Sequence, residues 1–283
     1  MVRLWGRLLV ALGLLLAGAG SAQAAWWQAK TDHFTVYSEG SDDKLREFAE
    51  RLEKFDYLLR KMTGKTAAEK GSPVKVYLLS SEAKVKDLAR NPNIAGFYTT
   101  SDRSAYAFLS RSSKGGTFGF DAEQILFHEY THHFMLHYFP AAYPAWYVEG
   151  FAEYFSVVDF PKDGSIRFAQ VPMARVPGLV LGQPYPLKQL FAQTTDGLNR
   201  ADGDRYYGTA WLLTHYYFNA KTGRSAELSA YLNDLARGEA GARPPRSARR
   251  GGDYLGGCWR LDLILSFAGP SETRVLDASI EGA

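Results

Sequence analysis

The chain has 283 residues, 46% of them hydrophobic and 22% charged, enough apolar sequence to bury a core and too much for a disordered chain. Lys and Arg number 33 against 30 Asp and Glu, and the resulting +3 is too small to mark a nucleic-acid binder. The single cysteine, Cys258, excludes an intramolecular disulfide framework and any multi-cysteine metal cluster, so a metal would be held mainly by histidine and carboxylate.

Residues 1–7 carry Arg3 and Arg7 and no acid, residues 8–16 are almost continuously apolar, and small residues lead on to Ala22-Gln23-Ala24. That is the layout of a secretory signal over 1–24, cleaved after Ala24. Its apolar run is shorter than the roughly 20 residues that span a bilayer, and no later segment approaches that length. The expected product is exported, periplasmic or secreted, with no stable membrane span after cleavage.

The next stretch, His33-Phe34-Thr35-Val36-Tyr37, is β-branched and aromatic and reads as a strand, with His33 a polar strand residue. Ser41 or Asp42 can cap a helix in which Leu45, Phe48, Ala49, Leu52, Phe55, Leu58 and Leu59 recur at helical spacing up to Met62. Residues 74–79 form a second strand and 82–89 a short helix, stopped by Asn91-Pro92-Asn93. Strand character returns over 96–112, where Ser104, Tyr106, Phe108 and Ser110 alternate with Ala105, Ala107 and Leu109. A glycine-rich loop follows, and Asp121 with Gln124 makes a capping box that opens a helix over 122–139.

Pro140 and Pro144 bound a short connection to a second helix over 145–158, with a strand near 166–170. Residues 187–192 are briefly amphipathic, while 206–220 and 227–235 read as helices. Strands come early and helices late, which argues α+β rather than alternating βαβ units, in one domain over 25–237. Residues 238–257 hold six Gly, two Pro and four Arg, so 238–283 is read as a poorly ordered Gly/Arg/Pro-rich tail.

Within the 122–139 helix stands His128-Glu129-Tyr130-Thr131-His132, an HExxH motif. Residues four apart on a helix are displaced by only about 40°, so both imidazoles leave one face and can reach one ion. Glu129, the next residue on, can reach a metal-bound water without being a ligand. Two histidines, a glutamate and a water suit Zn2+. Glu149, on the following predicted helix, would face the histidines across a short turn and supply the third ligand. Glu153 lies one turn later, placed to accept the free ring N–H of a ligating histidine. Two carboxylates at this spacing on an aromatic helix repel each other unless a cation or histidines absorb the charge. His133 and His137 form a rival pair. Phe134 stands where a base belongs in that register, and residue 133 is turned about 100° from 132, so the two pairs cannot share an ion.

His128-Glu129-Tyr130-Thr131-His132 followed by Pro144-Ala145-Trp146-Tyr147-Val148-Glu149-Gly150-Phe151-Ala152-Glu153-Tyr154-Phe155 resembles the gluzincin branch of zinc metallopeptidases, most of all small exported members of the peptidase MA-like superfamily. The resemblance is sharp over 121–158 and extends over about 26–236. It implies a thermolysin-like catalytic domain, an N-terminal mixed sheet followed by a mainly helical half that contains the HExxH helix. It implies His128, His132 and Glu149 as zinc ligands, Glu129 as general base and Glu153 as the carboxylate behind a ligand. The helix beginning at Tyr207 resembles a tyrosine-led helix downstream in the family, which makes Tyr207 the candidate oxyanion donor, with Tyr206 and His215 as alternatives. The family also implies that a strand before the metal helix, here 103–111, pairs with substrate backbone. The Gly-Ala-Met-Glu-Asn motif of the aminopeptidase members is absent, which favours endopeptidase action.

The expectation is an exported zinc metallopeptidase acting on peptide or protein substrates, with no nucleic-acid partner and no oligomeric state set by the sequence. Its alternative is a catalytically inactive metal-binding or scaffold protein with a peptidase-like fold.

Overall fold

The computed structural model describes residues 26–39, 42–65, 73–92, 94, 96–101, 104–111, 122–181, 184–192, 198–238 and 274–277. The signal segment 1–24, the capping residue Asp121 and the tail, apart from Gly238 and 274–277, lie outside the described residues.

Five short runs of β-branched, aromatic and small residues form strands: β1 (Trp27–Lys30), β2 (Phe34–Ser38), β3 (Val74–Leu79), β4 (Gly96–Ser101) and β5 (Ser104–Ser110). They make one mixed sheet in the order β1-β2-β3-β5-β4. Its centre, β2-β3-β5, is parallel, and β1 and β4 are antiparallel edges. Helix α1 (Asp42–Thr63) crosses from β2 to β3, and α2 (Glu82–Ala89) precedes β4 on the way to β5. The early half therefore contains a βαβ unit, which the strands-then-helices reading did not foresee. Among closely spaced strands, pairing direction is not written in the local pattern.

The expectation for strand 103–111 is also corrected. β5 is hydrogen-bonded to β3 on one side and β4 on the other, so it has no free edge for a substrate; among the described residues the edges of the sheet are β1 and β4.

Alternation decides what the sheet buries. Phe34, Val36, Val74, Val76, Ala105, Ala107 and Leu109 are buried in one core with Leu52, Phe55 and Leu59 of α1. The intervening residues form a partly exposed ladder across four strands. Tyr37 stacks on Tyr77, Tyr77 on Phe108 and Phe108 on Phe97, with ring centroids 4.8, 5.1 and 4.8 Å apart. Cross-strand ring pairs of this kind fix register as well as adding burial.

The second half is mainly helical: α3 (Ala122–Tyr138), α4 (Ala145–Ser156), α5 (Val176–Val180), α6 (Leu187–Ala192), α7 (Arg200–Phe218) and α8 (Ser225–Ala236), interrupted by β6 (Ser165–Phe168). The architecture is thus α+β with an N-terminal mixed sheet. Helix α7 begins at Arg200 rather than Tyr206, because the Asn199 side chain accepts a hydrogen bond from Asp202 N at 2.9 Å and caps a turn that its Gly203 would otherwise disfavour. One piece of the tail, β7 (Arg274–Asp277), pairs antiparallel with β6, a strand not expected there. No helix among the described residues is long and apolar enough to cross a membrane.

His33, just before β2, joins the sheet to α1. Its backbone N–H donates to Glu53 Oε1 at 2.9 Å, and its Nδ1 lies 2.8 Å from Glu53 Oε2. The Glu53 hydrogen bond outweighs burial and raises the imidazole pKa above its ordinary value. Protonated His33 therefore contributes stability that is complete below about pH 6.5 and is lost as pH rises through the folded-state value. Urea unfolding of wild type and His33→Gln from about pH 5 to about pH 9 is expected to show the wild-type advantage shrinking with pH; an advantage that grows with pH would refute the tie.

Candidate metal centre

Three polar ties to α1 set how α3 is turned. Arg51 donates to both carboxylate oxygens of Glu123 at 2.6 Å, the Tyr130 hydroxyl donates to Asp56 Oδ1 at 2.6 Å, and Arg60 Nη2 donates to the Tyr138 hydroxyl at 2.7 Å. Phe127 stacks on Phe55 with centroids 4.2 Å apart, and Tyr130 lies 4.9 Å from Phe34. This flank is committed to the sheet side, and His128 and His132 project toward α4.

Helix α4, which carries Glu149 toward them, is seated closely on α7 because glycine follows Glu149. A Cβ on Gly150 would stand 2.5 Å from the Ala210 carbonyl oxygen of α7 and overlap Thr214 Oγ1. Only glycine admits so close a crossing of α4 and α7. Trp146, Tyr154, Phe155, Trp211 and Tyr217, all fully buried, fill the space around it.

The result is a convergence of three donor atoms. His128 Nε2 and His132 Nε2 are 3.0 Å apart, and Glu149 Oε2 lies 3.3 and 3.2 Å from them. Zinc holds nitrogen and carboxylate oxygen at about 2.0–2.1 Å, which puts any two ligands of a tetrahedral ion about 3.3 Å apart. The spacing therefore fits a metal ion at the centre of the three. Glu149 Oε2 is buried with no well-aimed hydrogen-bond donor, as a ligand oxygen waiting on a cation would be. Burial opposes ionisation of Glu149, but the two histidines beside it outweigh that and hold the carboxyl down to about 2. Burial also opposes protonation of His128; the neighbouring Glu149, with the charges of Glu153 and Glu129, reverses this and raises its pKa.

Glu153, 1% exposed, points Oε1 at His128 Nδ1 from 3.4 Å. Tyr207 sits with its ring 6.2 Å from that of His128, and burial, followed by the Glu149 charge, pushes its phenol up to about 12. Glu129, Tyr207 and Glu153 open with His128 onto a cleft of about 760 Å³, walled on its apolar side by Ile94 and Ile125. The six residues singled out in the sequence thus meet at one place.

The rivals stand elsewhere. His133 and His137 stack on each other at 5.6 Å, with His133 against Tyr98 and Tyr130. Burial, then the neighbouring His137, brings His133 down to about 4. His215 is buried between Tyr154 and Trp211, and Tyr206 is fully buried beside Tyr185. A second grouping, His33, Glu53 and Asp56, also brings ligand-type atoms together. There Arg60 Nε lies 2.5 Å from Asp56 Oδ2 and Tyr130 donates to Oδ1, so the acid already has its cation and its donor.

Two residues of the site were not anticipated. Arg175 reaches Glu153 Oε1 at 2.8 Å and Asp204 Oδ1 at 2.7 Å, and Tyr98 of β4 buries its hydroxyl with no partner while feeling the Glu129 charge. The signal for Arg175 was a lone charge in the apolar run Val171-Pro172-Met173-Ala174-Arg175-Val176-Pro177. No protein-family model matches the chain, and no curated protein matches it in sequence.

Gly150→Ala is expected to lower stability by about 3 kcal/mol, because the added methyl meets helix backbone that cannot turn aside. Thermal unfolding should then fall by roughly 6–12 °C. An unshifted melting temperature would show that the α4–α7 crossing is looser than drawn.

Proposed function

We propose that this protein is a zinc-dependent peptidase of the gluzincin type, with a thermolysin-like catalytic domain, exported by its N-terminal signal and acting on peptide or protein substrates. The observation that carries the reading is the triangle of His128, His132 and Glu149 donor atoms with tetrahedral spacing, beside a glutamate at position 129 that opens on the same cleft. A structural metal site would have no use for that second acid.

Two imidazoles and one carboxylate are the ligand set of open zinc sites that leave a position for water. When bound there, zinc would supply Lewis-acid polarisation of the scissile carbonyl and acidification of a water. Glu129 takes the proton of the attacking water and passes it to the departing amine. Tyr207, whose phenol stays protonated at neutral pH, donates a hydrogen bond to the developing oxyanion. Glu153 holds the His128 ring through Nδ1. The open edge of β4, which packs beside α3, offers backbone groups to an extended substrate, the part first expected of 103–111.

Purified mature protein is expected to carry one zinc per chain and to digest labelled casein. Glu129→Gln should retain the zinc while turnover falls by about 10²–10⁴-fold. His128→Ala should lose the metal. Undiminished digestion by Glu129→Gln would sink the assignment, and zinc without digestion in wild type would identify the scaffold alternative.

A further inference from the structure

Arg175 ends a short 3-10 turn (Met173–Arg175) that leads into α5. Its side chain is 12% exposed, and the guanidinium reaches Glu153, Asp204 and Tyr207. Nη2 and Nε donate to Glu153 Oε1 at 2.8 and 3.3 Å, and Nη1 donates to Asp204 Oδ1 at 2.7 Å. The guanidinium carbon also lies 4.5 Å from the centre of the Tyr207 ring. The same Oε1 of Glu153 faces His128 Nδ1. One cation thus touches both residues that the proposed reaction needs held: the carboxylate behind a ligand and the phenol.

The backbone is shaped for this contact. A Cβ on Gly208 would stand 2.9 Å from Leu179 Cγ and 3.3 Å from Arg175 Cβ, and a Cβ on Gly178 would stand 3.2 Å from Arg205 N. Glycines on both partners let the 173–180 segment press onto the first turns of α7, and that approach lays the guanidinium on the ring of Tyr207, next to Gly208.

We infer that Arg175 is a positioning residue of the active centre: it clamps Glu153 against His128 and holds the Tyr207 phenol toward the cleft. It does not touch the reacting atoms. Planarity matters, because a guanidinium can grip two carboxylates in its plane while an aromatic ring covers its face, and an ammonium cannot. The inference rests on the zinc-peptidase reading and deepens it.

The test uses the mature full chain and two independent readouts. Zinc affinity is measured by competition with a chromophoric chelator, and kcat and KM on fluorescently labelled casein. Arg175→Gln is expected to weaken zinc about tenfold, because Glu153 is released from His128. Its kcat should fall about 100-fold with KM little changed, because Tyr207 is no longer held. Glu153→Gln should weaken zinc to the same extent, and the double variant no further. Tyr207→Phe and its double with Arg175→Gln should likewise share one loss of kcat.

Arg175→Lys serves as the folded control, with zinc affinity within about twofold of wild type and kcat still reduced. Unchanged zinc affinity and kcat in Arg175→Gln, additive losses in the doubles, or no recovery of zinc affinity by lysine would overturn the assignment. If wild type binds no zinc, both readings fall. If the zinc pattern holds without casein cleavage, the clamp on Glu153 stands and the peptidase reading, with the role given to Tyr207, is overturned.

Discussion

Two imidazole nitrogens 3.0 Å apart, with a carboxylate oxygen at 3.2 and 3.3 Å, form an arrangement that protons satisfy badly. Both nitrogens cannot aim a hydrogen at one another, and a single proton between them leaves Glu149 Oε2 without a donor. A divalent cation at the centre resolves all three demands together, and Glu153 brings a further acid against His128 from behind. Most of the helical half can be understood as the framework that keeps these groups close: the polar ties that turn α3, the glycine that lets α4 descend onto α7, and the arginine that balances Glu153.

Much of this was legible in the sequence because it is local. The histidine spacing and the spacing of Glu149 and Glu153 each lie within one helix, and helical periodicity alone puts such residues on one face. The helix carrying the histidines, the helix carrying Glu149 and the strand 74–79 were read nearly to their ends for the same reason. What escaped was non-local. Arg175 is separated from Glu153 by a strand and a turn, and its neighbours are apolar, so no periodic pattern points at it. Tyr98 lies on β4, and β4 rather than β5 is the sheet edge because the chain doubles back. Pairing order of that kind is decided by which faces must be buried, not by the residues of either strand. His33 looked decorative because its partner Glu53 is on the next helix, though one hydrogen bond to the ring and one to the backbone tie the two.

The sheet has a quieter part in the site. Its helix-facing side presents Ala105 and Ala107 where α3 runs over β4 and β5, and small side chains there keep the helix low. The opposite side is stiffened by the Tyr37-Tyr77-Phe108-Phe97 stack, in which each ring rests on a neighbour from another strand. A sheet braced on one side and closely covered on the other is a rigid base for a helix whose rotation has to be held within a few degrees for two imidazoles to share a point.

The pairing of β6 with β7 bears on how the molecule can be handled. Residues 165–168 have their hydrogen-bonding edge occupied by 274–277, so a chain shortened to end near residue 238 would leave a run of bare amide and carbonyl groups beside the exit of α4. Bare strand edges recruit other strands, and the nearest supply is another molecule of the same kind. A shortened preparation would then accumulate linked chains for a reason that lies in the strand edge and not in the histidine–glutamate cluster, a matter of colloidal behaviour rather than chemistry.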